Sequence, residues 1–256
     1  MNNERYFETA MLAGEIELRS GSEISRVEDT MERILALSEN GHAEVYATTT
    51  GIIASLAVEN KVPLTGVKRI AARVNNLNHI YQVNNISRAL CSGEIDVEDA
   101  YQKLQAVRTA REHPRWLVHC CSVLAVMGCS TLFGGNLYDF FLSAIPAVFM
   151  VILDLLMVRR VYIDFMKDFL KAMGSAFLSM LVCYLFPDAN SGVVTISALM
   201  PLVPGIPITN AIRDTLQGDY MSGVSRMLEA LVISLGIAAG AGAGLGVFHL
   251  LERWVF

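Results

Sequence analysis

The chain has 256 residues, 53% of them hydrophobic and only 18% charged, with a mean hydropathy of +0.43; an ordinary soluble domain carries roughly 25% charged residues. The net charge is −5, neither half is basic and no cluster of Lys or Arg alternates with aromatics, so nucleic acid is not an expected partner. Residues 1–115 hold 29 of the 45 acidic and basic side chains, whereas the 141 positions of 116–256 hold 16, which excludes a simple cytosolic enzyme and a secreted disulfide scaffold. The pattern predicts a soluble domain at 1–115 followed by a membrane-embedded domain at 116–256. Cys91, Cys120, Cys121, Cys129 and Cys183 form no C-x-x-C pair, so neither a zinc site nor a disulfide framework is expected. The first ten residues carry charges where a secretory signal needs an apolar run.

In chain order, Phe7, Ala10, Met11, Gly14 and Leu18 recur at helical spacing, as do Ile24, Val27, Met31, Ile34 and Leu35. Ser20-Gly21-Ser22-Glu23 reads as the turn between them, and Ser25 with Glu28 as a capping box. Glu44–Thr49, Gly51–Val58 and Pro63–Ala71 are rich in Val, Ile and Thr and are bounded by Gly, Asn and Pro, which predicts short strands. Helices follow at about Asn76–Cys91 and Asp96–Arg108, with Asp96 as an N-cap. The expected domain is α+β. It has no G-x-S-x-G elbow, and His42 and His79 stand alone in sequence, so no catalytic residue, metal ligand or cofactor is assigned.

The apolar half predicts five transmembrane helices at about 116–135, 137–158, 169–187, 190–212 and 228–251. Arg108, Arg111, Arg115, Arg159, Arg160, Lys167, Lys171, Arg213 and Arg226 fall on one side of that arrangement and only Arg253 on the other. The positive-inside rule then puts the N-terminal domain in the cytoplasm and the C-terminus outside, in a multi-pass protein of the inner or plasma membrane. Asp154 is expected near the cytoplasmic end of the second span, beside Arg159 and Arg160, either as an interfacial ion pair or as a proton- or ion-coupling group. Asp139, at the other end of that span, is expected to be solvated. His119 and His249 read as packed or interfacial residues.

The fourth span, Ser197 to Asp214, contains Pro201, Pro204, Gly205 and Pro207, so a continuous helix cannot pass through it. Irregular backbone at membrane depth is tolerated where it is buried in protein or lines a cavity. Pro207 suits the first turn of a new helix starting near Gly205, whose free N–H groups and positive end would face the break. Beyond it, Thr209 with Arg213 and Asn210 with Asp214 share faces at i, i+4. The alternative is a proline kink with capping residues. The fifth span carries Gly236, Gly240 and Gly244, with a second series at Gly242 and Gly246; G-x-x-x-G spacing lets helices approach closely, within the chain or against a partner.

Two stretches resemble the threonine/serine exporter family. One is Ala13 to Thr30 together with Thr48-Thr-Thr-Gly51-Ile-Ile. The other is Pro204-Gly-Ile-Pro-Ile-Thr-Asn-Ala-Ile-Arg-Asp214-Thr-Leu-Gln-Gly218 through Gly223, similar to that family's P-G-x4-N/x-A-x2-D-x3-G signature. Full-length members have about ten spans, so this chain resembles the split, N-terminal-half type, such as the larger subunit of the bacterial succinate exporter. The resemblance implies proton-driven export of a C4-dicarboxylate such as succinate, or of threonine or serine, without enzymatic activity or a cofactor. It also implies a small membrane subunit resembling the C-terminal half of full-length exporters, with a homo-oligomer as an open alternative. Break and signature together put Pro204, Gly205, Pro207, Thr209, Asn210 and Asp214 on the substrate pathway and make Asp214 a second coupling candidate. The competing reading is a membrane-anchored regulatory or scaffold subunit that senses a cytoplasmic metabolite.

Overall fold

The computed structural model describes residues 2–38, 41–59, 61–71, 73–110, 114–157 and 164–255. The N-terminal elements are α1 (Asn2–Arg19), α2 (Ile24–Leu35), β1 (Gly41–Thr48), β2 (Gly51–Val58), β3 (Leu64–Arg69), α3 (Leu77–Cys91) and α4 (Val97–Thr109). The apolar half contributes α5 (Arg115–Leu132), α6 (Leu137–Leu142), α7 (Ala144–Met157), α8 (Asp164–Leu185), α9 (Ser191–Leu199), a 3-10 turn (Met200–Leu202), α10 (Gly205–Leu216) and α11 (Tyr220–Val255). These elements form two compact units. One comprises Met1–Arg111 with Gly205–Glu229, the other Glu112–Pro204 with Ala230–Phe256.

In the first unit, β1, β2 and β3 make an antiparallel sheet in that order, with Tyr46 opposite Ile53 and Ile53 opposite Val67. Alternation along β2 buries Ile52, Ala54 and Leu56 on the helix side. α1 is the central element: α2, α3, α4, β2 and β3 all pack on it. It therefore buries Thr9, Ala10, Leu12, Ala13, Ile16, Glu17 and Leu18 rather than a single stripe. Gly14 permits this crowding, since a Cβ there would collide with Met31 of α2. Asp96 caps α4 as expected, accepting from Asp99 N at 2.7 Å. The Ser25–Glu28 capping box does not form. Glu28 instead accepts from Ala47 N of β1 at 2.8 Å, and Ser25 Oγ donates to Gln217 at 2.6 Å.

The protein is a multi-pass membrane protein. Among the described residues, four helical stretches are long and apolar enough to cross a bilayer: Arg115–Leu132, Leu137–Met157, Phe165–Leu185 and Tyr220–Trp254. The bent pair Ser191–Leu202 and Gly205–Leu216 makes a fifth if it counts as one broken span. In the second unit, Asp139 is not solvated as the sequence suggested but 2% exposed. It completes a reciprocal capping box with Asn136 at the start of α6 and accepts from Asn190 N at 2.6 Å. A carboxylate at a helix end costs little to bury when backbone N–H groups surround it.

α11 lies against α8 through one glycine row. A Cβ on Gly240 would meet the Phe169 carbonyl, one on Gly244 the Met173 carbonyl, and one on Gly236 the Phe165 ring. Gly242 and Gly246 face open space. Close backbone approach is what small residues supply where lipid removes the hydrophobic drive between helices.

Candidate functional site

The prolines of the fourth apolar stretch sit where a missing N–H costs little. Pro201 lies at the start of the 3-10 turn, Val203 is extended (φ −62, ψ 126), and α10 starts at Gly205 with Pro207 in its first turn. Thr209 Oγ1 donates back to Gly205 O at 2.9 Å. The half-helix predicted to begin near Gly205 therefore does begin there.

Within the second unit, the Pro201–Leu202 end of the break borders a cavity of about 210 Å³, lined also by His119 and Ser122 of α5, Asp154 of α7 and Lys171 of α8. Asp154 forms an ion pair with Lys171, whose side chain is 14% exposed. Arg159 and Arg160, its partners in the sequence reading, lie outside the described residues. Lys171, His119 and Ser122 were not assigned to a site from sequence, because the helices that carry them come together only in the fold. α7 and α8 are consecutive and packed, but Asp154 and Lys171 stand at unequal distances from their connection, so spacing alone does not pair them.

In the first unit, the two segments that carry the family resemblance come together. α1 ends in a Schellman cap: Gly21 has φ +83, Gly21 N bonds to Leu18 O at 3.3 Å and Ser22 N to Glu17 O at 3.1 Å. α10 ends the same way, with Gly218 at φ +96 and bonds from Gly218 N to Thr215 O (3.2 Å) and Asp219 N to Asp214 O (2.9 Å). One face of α10, at helical spacing, meets the Gly21–Ser25 turn. Asn210 Nδ2 donates to Gly21 O at 2.8 Å, Arg213 pairs with Glu23, and Gln217 accepts from Ser25.

Asp214 is the centre of this knot and has no exposed surface. Its Oδ1 accepts from Ile24 N at 3.2 Å, so a carboxylate 190 residues away caps α2, whose own N-cap Glu23 makes no side-chain cap. Its Oδ2 lies 2.9 Å from Arg226 Nε as an ion pair, without hydrogen-bond alignment. Arg226 Nη2 donates to Ser22 O at 2.7 Å. Gly223 lets α11 pass close to α10, since a Cβ there would strike Thr215. Arg73 closes the edge with an ion pair to Glu229 at 2.7 Å. Asn210 and Asp214 thus share one cluster, to which Arg226 and Ser22 are additions the sequence did not reveal. Thr209, Pro204 and Pro207 have no side-chain bond to it among the described residues.

Chemically, the knot fastens α10 through one buried carboxylate and one buried guanidinium. Among the described residues, no group of three or more His, Cys, Asp or Glu could hold a metal.

Residues 8–248 match the family model described as "Putative threonine/serine exporter". The chain belongs to the threonine/serine exporter family. It is 22% identical to the "Probable threonine/serine exporter" of Mycobacterium tuberculosis, over 94% of this chain and 46% of that protein. It is 23% identical to the "Probable succinate transporter subunit YjjP" of Escherichia coli, over 93% of this chain and 92% of that protein. It is 20% identical to the "Threonine/serine exporter" of Corynebacterium glutamicum, over 93% and 50%. The chain therefore spans about half the length of two of these relatives and nearly all of the third. No solved structure matches.

Proposed function

We propose that this chain is a subunit of a secondary-active exporter of a small polar metabolite, either a C4-dicarboxylate such as succinate or threonine and serine. It works with a separate small membrane subunit equivalent to the part of the longer relatives that this chain does not match. The observation that carries this reading is the helix break at Val203–Pro204 in a chain of an exporter family, beside a cavity that holds an Asp154–Lys171 pair. Broken helices with free ends and ionisable groups at membrane depth are the recurrent means by which secondary transporters bind and couple. Pro204, Gly205, Pro207, Thr209, Asn210 and Asp214 line or position the pathway, and Asp154 and Asp214 are the proton-coupling groups. The N-terminal domain faces the cytoplasm, by the excess of Lys and Arg on that side.

The test is efflux of labelled succinate, threonine and serine from cells lacking their own exporters. The cells carry this chain alone, the small subunit alone, or both. Efflux requiring both chains supports the two-component reading and names the cargo. Efflux with this chain alone removes the partner from the proposal. The second reading, a membrane-anchored regulatory subunit, draws on one observation: Asn210 and Asp214 are engaged by the Gly21–Ile24 backbone. No flux in any combination, with both proteins in the membrane, would favour it.

A further inference from the structure

A second polar cavity, of about 250 Å³, lies within the first unit, well away in sequence from the signature helix. Glu15, Arg19 and Ser20 of the α1 end, Asn76 and His79 at the start of α3, and Arg108 of α4 line it. Its charge arrangement is unusual. Glu15 is 5% exposed, and three cations converge on it: Lys68 at 3.0 Å, Arg19 at 3.6 Å and Arg108 at 3.7 Å. One carboxylate balances one of the three, so among the described residues positive charge is in excess around Glu15. At their distances the two guanidiniums pair with Glu15 by charge, without a hydrogen bond, and both line the space. A guanidinium fork recognises a carboxylate bidentately, and this cavity offers two. The volume suits a ligand of a few heavy atoms and is small for a nucleotide.

The wall of this cavity continues along the chain into the signature knot. Val74 N donates to Arg19 O at 2.8 Å and Asn76 N to Ser20 O at 3.0 Å, while His79 N donates to the Asn76 side chain at 3.0 Å. Arg19 and Ser20 run directly into Gly21 and Ser22, whose carbonyls receive Asn210 and Arg226. Arg73, next to Val74, is held by Glu229 of α11. Any ligand that draws Arg19 or the 74–76 segment inward acts on the backbone that carries the knot.

We propose that this cavity is a binding site for a small carboxylate metabolite, separate from the transport pathway, and that its occupancy tightens the Arg19–Ser22 turn to which the signature helix is fastened. The site holds whether or not the chain exports, because its readout is local.

The experiment is hydrogen–deuterium exchange of the full chain in lipid nanodiscs, with succinate, L-threonine or inorganic phosphate added separately. The reporters are the Val74, Asn76 and His79 amides, which bond to the cavity wall; a ligand acting elsewhere through the knot is distinguished by its indifference to the arginine substitutions. Saturable slowing of the 74–79 peptide by succinate or threonine is expected, and the more effective of the two identifies a dianion or a zwitterion as the ligand. Arg108→Gln and Arg19→Gln should each weaken the apparent affinity about tenfold, the loss of one charge-assisted contact. Glu15→Gln should strengthen succinate binding by removing the competing carboxylate. The exchange pattern of α1–α4 without ligand shows whether each variant is folded. No slowing by either carboxylate, slowing by phosphate alone, or slowing that survives both arginine substitutions overturns the assignment.

Discussion

Replacing Asp214 with alanine should do more damage than its single ion pair suggests, because of what it leaves behind. Arg226 has 4% of its side chain exposed, and Asp214 is its only carboxylate partner among the described residues. Stranding a buried guanidinium costs about 3–5 kcal/mol, and loss of the carboxylate cap on Ile24 N adds about 1 kcal/mol. Against a typical domain stability of about 5–15 kcal/mol, α10 should detach from the Gly21–Ile24 turn. Arg226→Met removes the stranded charge, so the Asp214→Ala, Arg226→Met double variant should recover most of the loss. Thermal unfolding of the solubilised full chain, with limited trypsin digestion of the N-terminal domain, reads both effects. A single variant within about 0.5 kcal/mol of wild type, or a double variant no better than the single, would refute the knot as a stabilising element. Efflux then separates structure from coupling. A double variant that is folded but silent keeps Asp214 as the coupling acid, and one that exports normally makes the residue purely structural.

On the glycine row, Gly240→Ala and Gly244→Ala push a methyl group into backbone carbonyls of α8 and should cost about 1–3 kcal/mol; Gly242→Ala and Gly246→Ala, facing open space, should be near neutral. Equal effects in the two series by detergent-resistance melting would contradict the α8 packing. Glu17 gives a pH signature. Burial pushes its carboxyl from 4.5 up to about 8, partly offset by Thr30, and its Oε2 has no hydrogen-bond partner among the described residues. The native state therefore holds a proton that the unfolded state releases, so stability is greatest below pH 4.5 for this group and falls as pH rises towards 8. Glu17→Gln should flatten that slope, and an unchanged slope in urea titrations across that range counts against it. In the membrane cavity, Lys171→Gln should lower efflux by leaving Asp154 without its partner, and the double variant with Asp154→Asn should be no worse than Asp154→Asn alone. Additive losses would mean that the pair does not act as a unit.

Much of the local architecture follows from the chain itself. Apolar runs of roughly twenty residues announce the spans. Pro201, Pro204 and Pro207 force a break that no packing can undo, because the missing donors are covalent facts. Gly21 and Gly218 mark helix ends for the same kind of reason, since positive φ is cheap only without a side chain. These are short-range constraints, and sequence expresses them directly.

What tertiary structure decided is who meets whom. Ser25 and Glu28 have capping-box spacing, yet an aspartate from α10 caps α2 and Glu28 serves β1. Asp139 reads as a surface carboxylate, but Asn136 and the α9 start enclose it. Asp154 finds Lys171 on the neighbouring helix, and Glu15 gathers cations from α1, β3 and α4. A buried charge stays buried only where opposite charge or oriented backbone dipoles surround it. Those partners come from distant elements, so their positions depend on the packing of helices and sheet and not on spacing along the chain.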